Sequence, residues 1–178
     1  MIDVASIIKE STIDGEGIRY VVFTQGCKHN CKGCQNPSTH DFGCGKMISA
    51  SEIYDDMIKN PLIDGLTLSG GDPFFQAKQC CELAKLCKNN GYDIWAYTGF
   101  NFEDFLNFRN NIKCNAIITS DMIELLRYID VVVDGRFILE ERTLESKFKG
   151  SSNQKIVDVK KSLKENKVIK YNLEYRGG

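Results

Sequence analysis

The stretch that decides the fold is Tyr20-Val21-Val22-Phe23-Thr24-Gln25-Gly26-Cys27-Lys28-His29-Asn30-Cys31-Lys32-Gly33-Cys34. Its first five residues are all β-branched or aromatic, the signal of a buried strand. The next ten place three thiols at C-x3-C-x2-C spacing on one loop at that strand's carboxyl end, with Gly26 and Gly33 letting the backbone wrap closely around a compact group. In open sheets built from βαβ units, ligands collect beyond the carboxyl ends of the strands. The loop therefore stands where chemistry is expected.

Further β-rich runs lie at residues 65–68, 93–98, 130–133 and 168–173, with a weaker one at 116–119. Helix-like segments separate several of them. Ser49 or Ser51 caps one reaching about Lys59, Gln76 starts one reaching about Asn89, Asn101 caps residues 102–109, and Ser120 or Asp121 caps one through Arg127. Alternating strands and helices predict an α/β chain with a mostly parallel sheet, and 178 residues suffice for a partial (β/α) barrel. There is no repeat, low-complexity stretch or Pro/Gly linker, and only three prolines, so residues 1–178 read as one domain with a basic segment at 159–178.

The chain is 42% hydrophobic and 26% charged, which excludes disorder and fibrous architectures. A domain of this size hides roughly two thirds of the surface of its unfolded chain and needs no covalent staples, so its cysteines require another explanation. No secretory leader pattern opens the sequence and no apolar run approaches the ~20 residues that cross a bilayer, so a cytoplasmic protein with reduced thiols and no membrane partner is expected. The net charge of −1 conceals an asymmetry: residues 147–178 carry nine basic against three acidic groups, a net +6, and residues 1–146 a net −7. The tail's lysines alternate with Val157, Val159, Leu163, Val168 and Ile169 rather than with stacking aromatics, so nucleic acid is not the expected partner. A solvated face and a docking surface for an acidic protein both fit.

Eight cysteines are present. Cys80, Cys81 and Cys87 fall with Ala77 and Ala84 at i, i+3, i+4, i+7 and i+10, one face of a helix, and read as core filling. Cys114, beside an apolar segment, reads as buried. Cys27, Cys31 and Cys34 are left together. Three ligands on a [4Fe–4S] cluster leave one iron open, as chemistry at a metal requires. The alternative is structural zinc with Cys44 or His40 as fourth ligand, in a zinc-stapled interaction module without catalysis. His29, inside the loop, fits either a site role or a solvated position.

A second candidate follows the run at 65–68: Ser69-Gly70-Gly71-Asp72-Pro73, where paired glycines admit close approach of a ligand and Asp72 adds negative charge suited to an ammonium. As a lone feature it is an ordinary turn, but it lies one βα unit after the cysteine loop, on the same rim. No Ser/His/Asp set and no paired carboxylates support hydrolysis.

With these motifs the chain resembles the radical S-adenosylmethionine superfamily. Four further blocks narrow the resemblance: Ile13-Asp14-Gly15-Glu16-Gly17-Ile18-Arg19, Trp95-Ala96-Tyr97-Thr98-Gly99-Phe100, Val133-Asp134-Gly135-Arg136-Phe137 and Gly150-Ser151-Ser152-Asn153-Gln154. Together they resemble the activating proteins of anaerobic (class III) ribonucleoside-triphosphate reductases, over about residues 13–158. The resemblance implies an oxidoreductase in which Cys27, Cys31 and Cys34 hold a [4Fe–4S] cluster whose open iron takes the amino and carboxylate groups of S-adenosylmethionine. It implies that Gly70 and Gly71, with Asp72, meet the amino group, and that Gly33, Cys34 and Gln35 run along the adenine. Reductive cleavage of the cofactor then yields a 5′-deoxyadenosyl radical that takes hydrogen from a backbone glycine of the reductase's large component. A low-potential donor such as a flavodoxin or ferredoxin is implied as well.

Asp14, Tyr97, Asp134, Arg136 and Asn153 are candidate contacts to the partner's glycine loop or to the cofactor. For Asp14 and Asp134 the plainer alternative is that they cap turns beside their glycines. Two departures from the family pattern stand out. Gly33 occupies the place before the third cysteine where a bulky residue often covers adenine, leaving Tyr97 and Phe100 as candidates for that task. Glu16 replaces a proline and loses its fixed φ. The nearer rival function is activation of pyruvate formate-lyase or another glycyl-radical enzyme, whose activases share the cysteine loop but are usually longer, with more barrel units.

Overall fold

The computed structural model describes residues 1–113, 117–144 and 146–173. Four strands form the parallel centre of a seven-stranded sheet: β2 (Arg19–Thr24), β4 (Gly65–Gly70), β5 (Asp93–Tyr97) and β6 (Val131–Asp134). Each is nearly all buried, which is why each reads in sequence as a short unbroken β-run. Antiparallel strands flank them. β1 (Ile2–Ser11) pairs with β2, β3 (Lys46–Ile48) with β1, and β7 (Lys155–Asp158) with β6, giving the order β3-β1-β2-β4-β5-β6-β7.

Helices α1 (Ala50–Met57), α2 (Ala77–Asn89), α3 (Phe102–Arg109), α4 (Ser120–Leu126) and α5 (Val159–Glu165) all contribute to one apolar cluster on one face of the sheet. Side chains alternate across a strand, so Tyr20 and Val22, Leu66 and Leu68, Ile94 and Ala96 meet those helices. Arg19, Val21, Phe23, Thr67, Ser69, Trp95, Tyr97, Val131 and Val133 point to the other face. An α/β sheet covered by helices on one side only, with its strand order left open, is the partial (β/α) barrel expected from the sequence. At one end the concave face is filled by Trp95, Val131 and Val133 with Phe148, Ile156 and Tyr171 packed on them. Arg19 lies fully buried below, its guanidinium donating to Thr67 Oγ1 at 3.1 Å and the Leu66 carbonyl at 2.7 Å, and pairing with Asp93.

Several local expectations need correction. Residues 168–173 do not form a strand. They run beside β7 with one bridge, Val157 to Lys170, and hydrogen bonds from Asp158 N to the Ile169 carbonyl and from Tyr171 N to the Ile156 carbonyl. Residues 117–119 are not a strand either, and residue 116 lies outside the described residues, as does Cys114. Thr119, rather than Ser120 or Asp121, caps α4, its hydroxyl accepting from Met122 N. Ser49 caps α1 in a full capping box with Glu52, a device worth about 1 kcal/mol. Asn101 precedes α3 without a side-chain capping bond. The basic segment contains α5, whose Lys160 and Lys161 pair with Asp130 and Asp158 at 2.8 and 2.9 Å.

Candidate metal centre

β2 and β4 are parallel neighbours in the register Thr24 to Gly70, so the cysteine loop and the Gly-Gly-Asp turn leave the sheet side by side. Backbone hydrogen bonds stitch them together: Gly71 N to the Thr24 carbonyl at 2.7 Å and Asp72 N to the Gly26 carbonyl at 3.1 Å. Only glycine fits there. Gly70 has φ +99°, and a Cβ on Gly71 would stand 2.4 Å from the Gly26 oxygen. With those amides committed, the turn has carbonyl oxygens to offer a ligand, the polarity that suits an ammonium.

Above the Phe23, Ser69 and Tyr97 side chains the concave face opens into a cavity of about 660 Å³, within the usual range of roughly 300–1,000 Å³ for small-ligand sites. Cys27, Cys31 and Cys34 line one wall, Gly70 and Gly71 another, and Gln35, Phe137 and Gln154 border them. All seven described cysteines are free thiols. Burial pushes the Cys27 thiol up to about 11, with the His29 backbone amide drawing it back, and burial likewise raises Cys31, opposed by the Phe137 amide. Asn36 N donates to Cys34 Sγ at 3.4 Å. Each of the three sulfurs thus has a backbone amide near it, a contact of the kind that tunes the potential of a bound cluster.

Among the described residues no three His, Cys, Asp or Glu groups close to the spacing of a single metal ion. Cys44 is exposed with its thiol directed at the Phe42 carbonyl, and it does not line the cavity, whereas His40 does. Three free thiols lining one cavity are a donor set of the kind an iron–sulfur cluster takes.

Asp72 lies beneath this site. Its carboxylate is fully buried, with Oδ1 accepting from Phe74 N at 2.9 Å and Oδ2 accepting from His29 Nε2, Thr98 Oγ1 and Gly99 N at 2.8, 2.8 and 2.9 Å. It faces inward and clamps the cysteine loop to the end of β5, instead of presenting charge to the cavity. His29 packs flat against Gly99, where any Cβ would stand 2.4 Å from the imidazole. Neither residue signals this in sequence, because they are 43 positions apart.

The other candidates divide. Asp14 and Tyr97 line the cavity, and burial, followed by the Asp14 charge, raises the Tyr97 phenol. Asp134 does not reach the cavity. It is buried, accepting from Phe102 N and Lys155 N at 2.8 and 3.1 Å, so it ties the starts of α3 and β7 together rather than capping the turn beside Gly135. Asn153 donates to the Arg136 carbonyl at 2.9 Å and Gln154 to the Gly135 carbonyl at 2.9 Å, so the Gly150 block braces the Asp134 block. The Asn153 Oδ1 atom is buried without a hydrogen-bond partner among the described residues. Arg136 borders a neighbouring recess, not the cavity. Phe100 is likewise turned away, packing on His29 and Phe105, so it cannot cover a base in the cavity. Phe137 takes its place beside Tyr97 on the cavity wall. Leu139 fills the space over Gly33, its Cδ1 being 2.9 Å from where a Cβ would stand.

The fold and this cavity are those of an α/β protein with a three-thiol pocket at the sheet's carboxyl end, and the model of the family described as "4Fe-4S single cluster domain" matches residues 13–157. The chain is 33% identical over 152 residues to the anaerobic ribonucleoside-triphosphate reductase-activating protein of Enterobacteria phage T4, covering 81% of this chain and 86% of that one. Against the protein of the same name from Haemophilus influenzae the identity is 32% over 152 residues, with 80% and 88% coverage. The chain belongs to this family of activating proteins. The pyruvate formate-lyase-activating enzyme of Listeria monocytogenes is 40% identical, but over 93 residues, which are 49% of this chain and 38% of that one.

Proposed function

We propose that this chain activates an anaerobic ribonucleoside-triphosphate reductase by generating a glycyl radical on it. The observation that carries the reading is the convergence of Cys27, Cys31 and Cys34 with the Gly70-Gly71 backbone on one cavity. In it the three cysteines hold a [4Fe–4S] cluster with one open iron, and the amides near their sulfurs tune its potential. When bound, the cluster and S-adenosylmethionine supply the one-electron chemistry that yields a hydrogen-abstracting 5′-deoxyadenosyl radical.

The chain's own residues position and enclose. Carbonyls of Gly70 and Gly71 receive the cofactor's ammonium. Gly33, Cys34 and Gln35 run along its adenine, with Tyr97 and Phe137 as the aromatic walls. Asp72 acts through His29 by holding the cysteine loop in register, and Asp134 and Asn153 brace the loop carrying Phe137. Ile13 and Leu144, 78% and 89% exposed on the cavity's border, together with Asp14, meet the glycine-bearing segment of the partner. The electron comes from a low-potential carrier such as a flavodoxin or ferredoxin, in a reducing cytoplasm kept free of oxygen. Among the described residues no helix is long and apolar enough to cross a membrane.

Activation of pyruvate formate-lyase is the weaker reading, since that relative's likeness covers half of this chain and little more than a third of its own length. Anaerobic reconstitution with iron and sulfide tests the enzyme reading. A brown chromophore and S-adenosylmethionine cleavage on reduction are expected; one bound zinc per chain, with neither, supports the interaction module instead.

A further inference from the structure

Behind His29 a second recess of about 660 Å³ is bordered by Lys28, Phe75, Phe100, Asp104, Lys113 and Arg136. It shares only His29 and Gly99 with the cluster cavity. We propose that this recess is the docking site of an acidic one-electron carrier protein, which reduces the cluster across the wall formed by His29. This rests on the function proposed above and assigns its electron entry.

The recess is cationic. Three cations face one carboxylate, Asp104, and among the described residues none of Lys28, Lys113 and Arg136 is in an ion pair. Lys28 lies over the Phe42 ring at 5.7 Å, a contact that leaves its charge uncompensated. A cationic hollow in a body whose residues 1–146 sum to −7 complements an acidic partner and steers it to one place.

Lys28 and His29 belong to the cysteine loop itself, between Cys27 and Cys31, and Arg136 directly precedes Phe137 of the cluster cavity's wall. A partner seated here is separated from the cluster ligands by one layer of side chains. That layer is packed: ring centroids are 4.7 Å apart for His29 and Phe100, and 5.4 Å for both His29 with Phe75 and Phe75 with Phe100. The cavity border with Ile13 and Leu144 is needed by the glycine-bearing segment, so a carrier using the recess does not compete with it. One electron leaves the carrier and one enters the cluster; no bond or proton changes hands.

The test uses the full-length reconstituted protein and stopped-flow bleaching of the cluster, with reduced flavodoxin as the acidic carrier and photoreduced deazaflavin as a small reductant that needs no docking. For the wild type, reduction by flavodoxin slows as ionic strength rises. In Lys28→Glu/Lys113→Glu that rate falls at least about tenfold and its salt dependence flattens, while iron content and the deazaflavin rate stay at wild-type values. If the loop substitution costs iron, Lys113→Glu alone, outside the cysteine loop, carries the test with a smaller fall. Wild-type flavodoxin rates in the charge-reversed proteins overturn the proposal. So does a loss confined to affinity for the reductase, which assigns the recess to that partner. Failure of deazaflavin-reduced wild type to cleave S-adenosylmethionine contradicts the proposed function instead, and is read separately.

Discussion

His29 Nε2 lies 2.8 Å from Asp72 Oδ2, with only 7% and 1% of the two side chains exposed, and this contact ties the cysteine loop to the Gly-Gly-Asp turn. Because Oδ2 also accepts from Thr98 and Gly99, three ends of the central sheet meet on one oxygen. Replacing that oxygen should disturb all of them. Asp72→Asn turns an amide or a weaker acceptor toward those donors and is expected to cost about 2–4 kcal/mol in urea unfolding. His29→Ala leaves the other acceptances intact and should cost less, yet lose iron faster from the reconstituted protein. Equal iron retention in both variants and wild type contradicts the clamp.

The cysteines should separate by function in the same protein. Cys31→Ala is expected to fold normally and fail to hold a complete cluster, seen as lost visible absorbance and iron. Cys80 is fully buried on α2, where burial raises its thiol, and Cys80→Ala should keep its iron while losing about 1–2 kcal/mol. Loss of iron in the second variant would undo the sorting.

Glu16, expected from the family resemblance to replace a proline, is held from a distance. Tyr171 Oη donates to Glu16 Oε2 at 2.8 Å, so the C-terminal segment supplies restraint that a fixed φ would otherwise give. Tyr171→Phe should cost about 0.5–1.5 kcal/mol and speed hydrogen exchange at Gly15 and Gly17. Unchanged exchange there would show that the bond restrains nothing.

Acid should weaken the fold partly through Asp56. Hydrogen bonds from Lys9 and then Tyr20 lower its carboxyl to about 2, while burial, followed by the Asp56 contact, raises the Tyr20 phenol. A carboxyl depressed on folding contributes stability above its unfolded value of roughly 3.9 and loses it as pH falls toward 2. Asp56→Asn should therefore flatten the decline in stability between about pH 4 and 2; an unaltered slope counts against it.

The parallel centre was legible because strands buried on both faces carry unbroken β-runs, as at residues 20–24 and 130–133. β1, β3 and β7 escaped for physical reasons. β1 is half exposed with Lys9 and Glu10 at its end, β3 has three residues, and β7 hides among lysines. Helical periodicity sorted Cys80, Cys81 and Cys87 correctly as the core stripe, with Cys81 half-buried at its margin. The inward turn of Asp72 and Asp134, the turning of Phe100 toward His29, and the burial of Arg19 against Asp93 depend on long-range contacts for which no local pattern exists.

Electron paramagnetic resonance of the anaerobic ribonucleoside-triphosphate reductase, after anaerobic incubation with the reconstituted, reduced chain and S-adenosylmethionine, tests whether this chain generates the glycyl radical. A glycyl-radical signal on the reductase, absent with Cys31→Ala, is the predicted result. No signal on the reductase, from a chain that carries its cluster and cleaves S-adenosylmethionine, together with a signal on pyruvate formate-lyase under the same conditions, would contradict it.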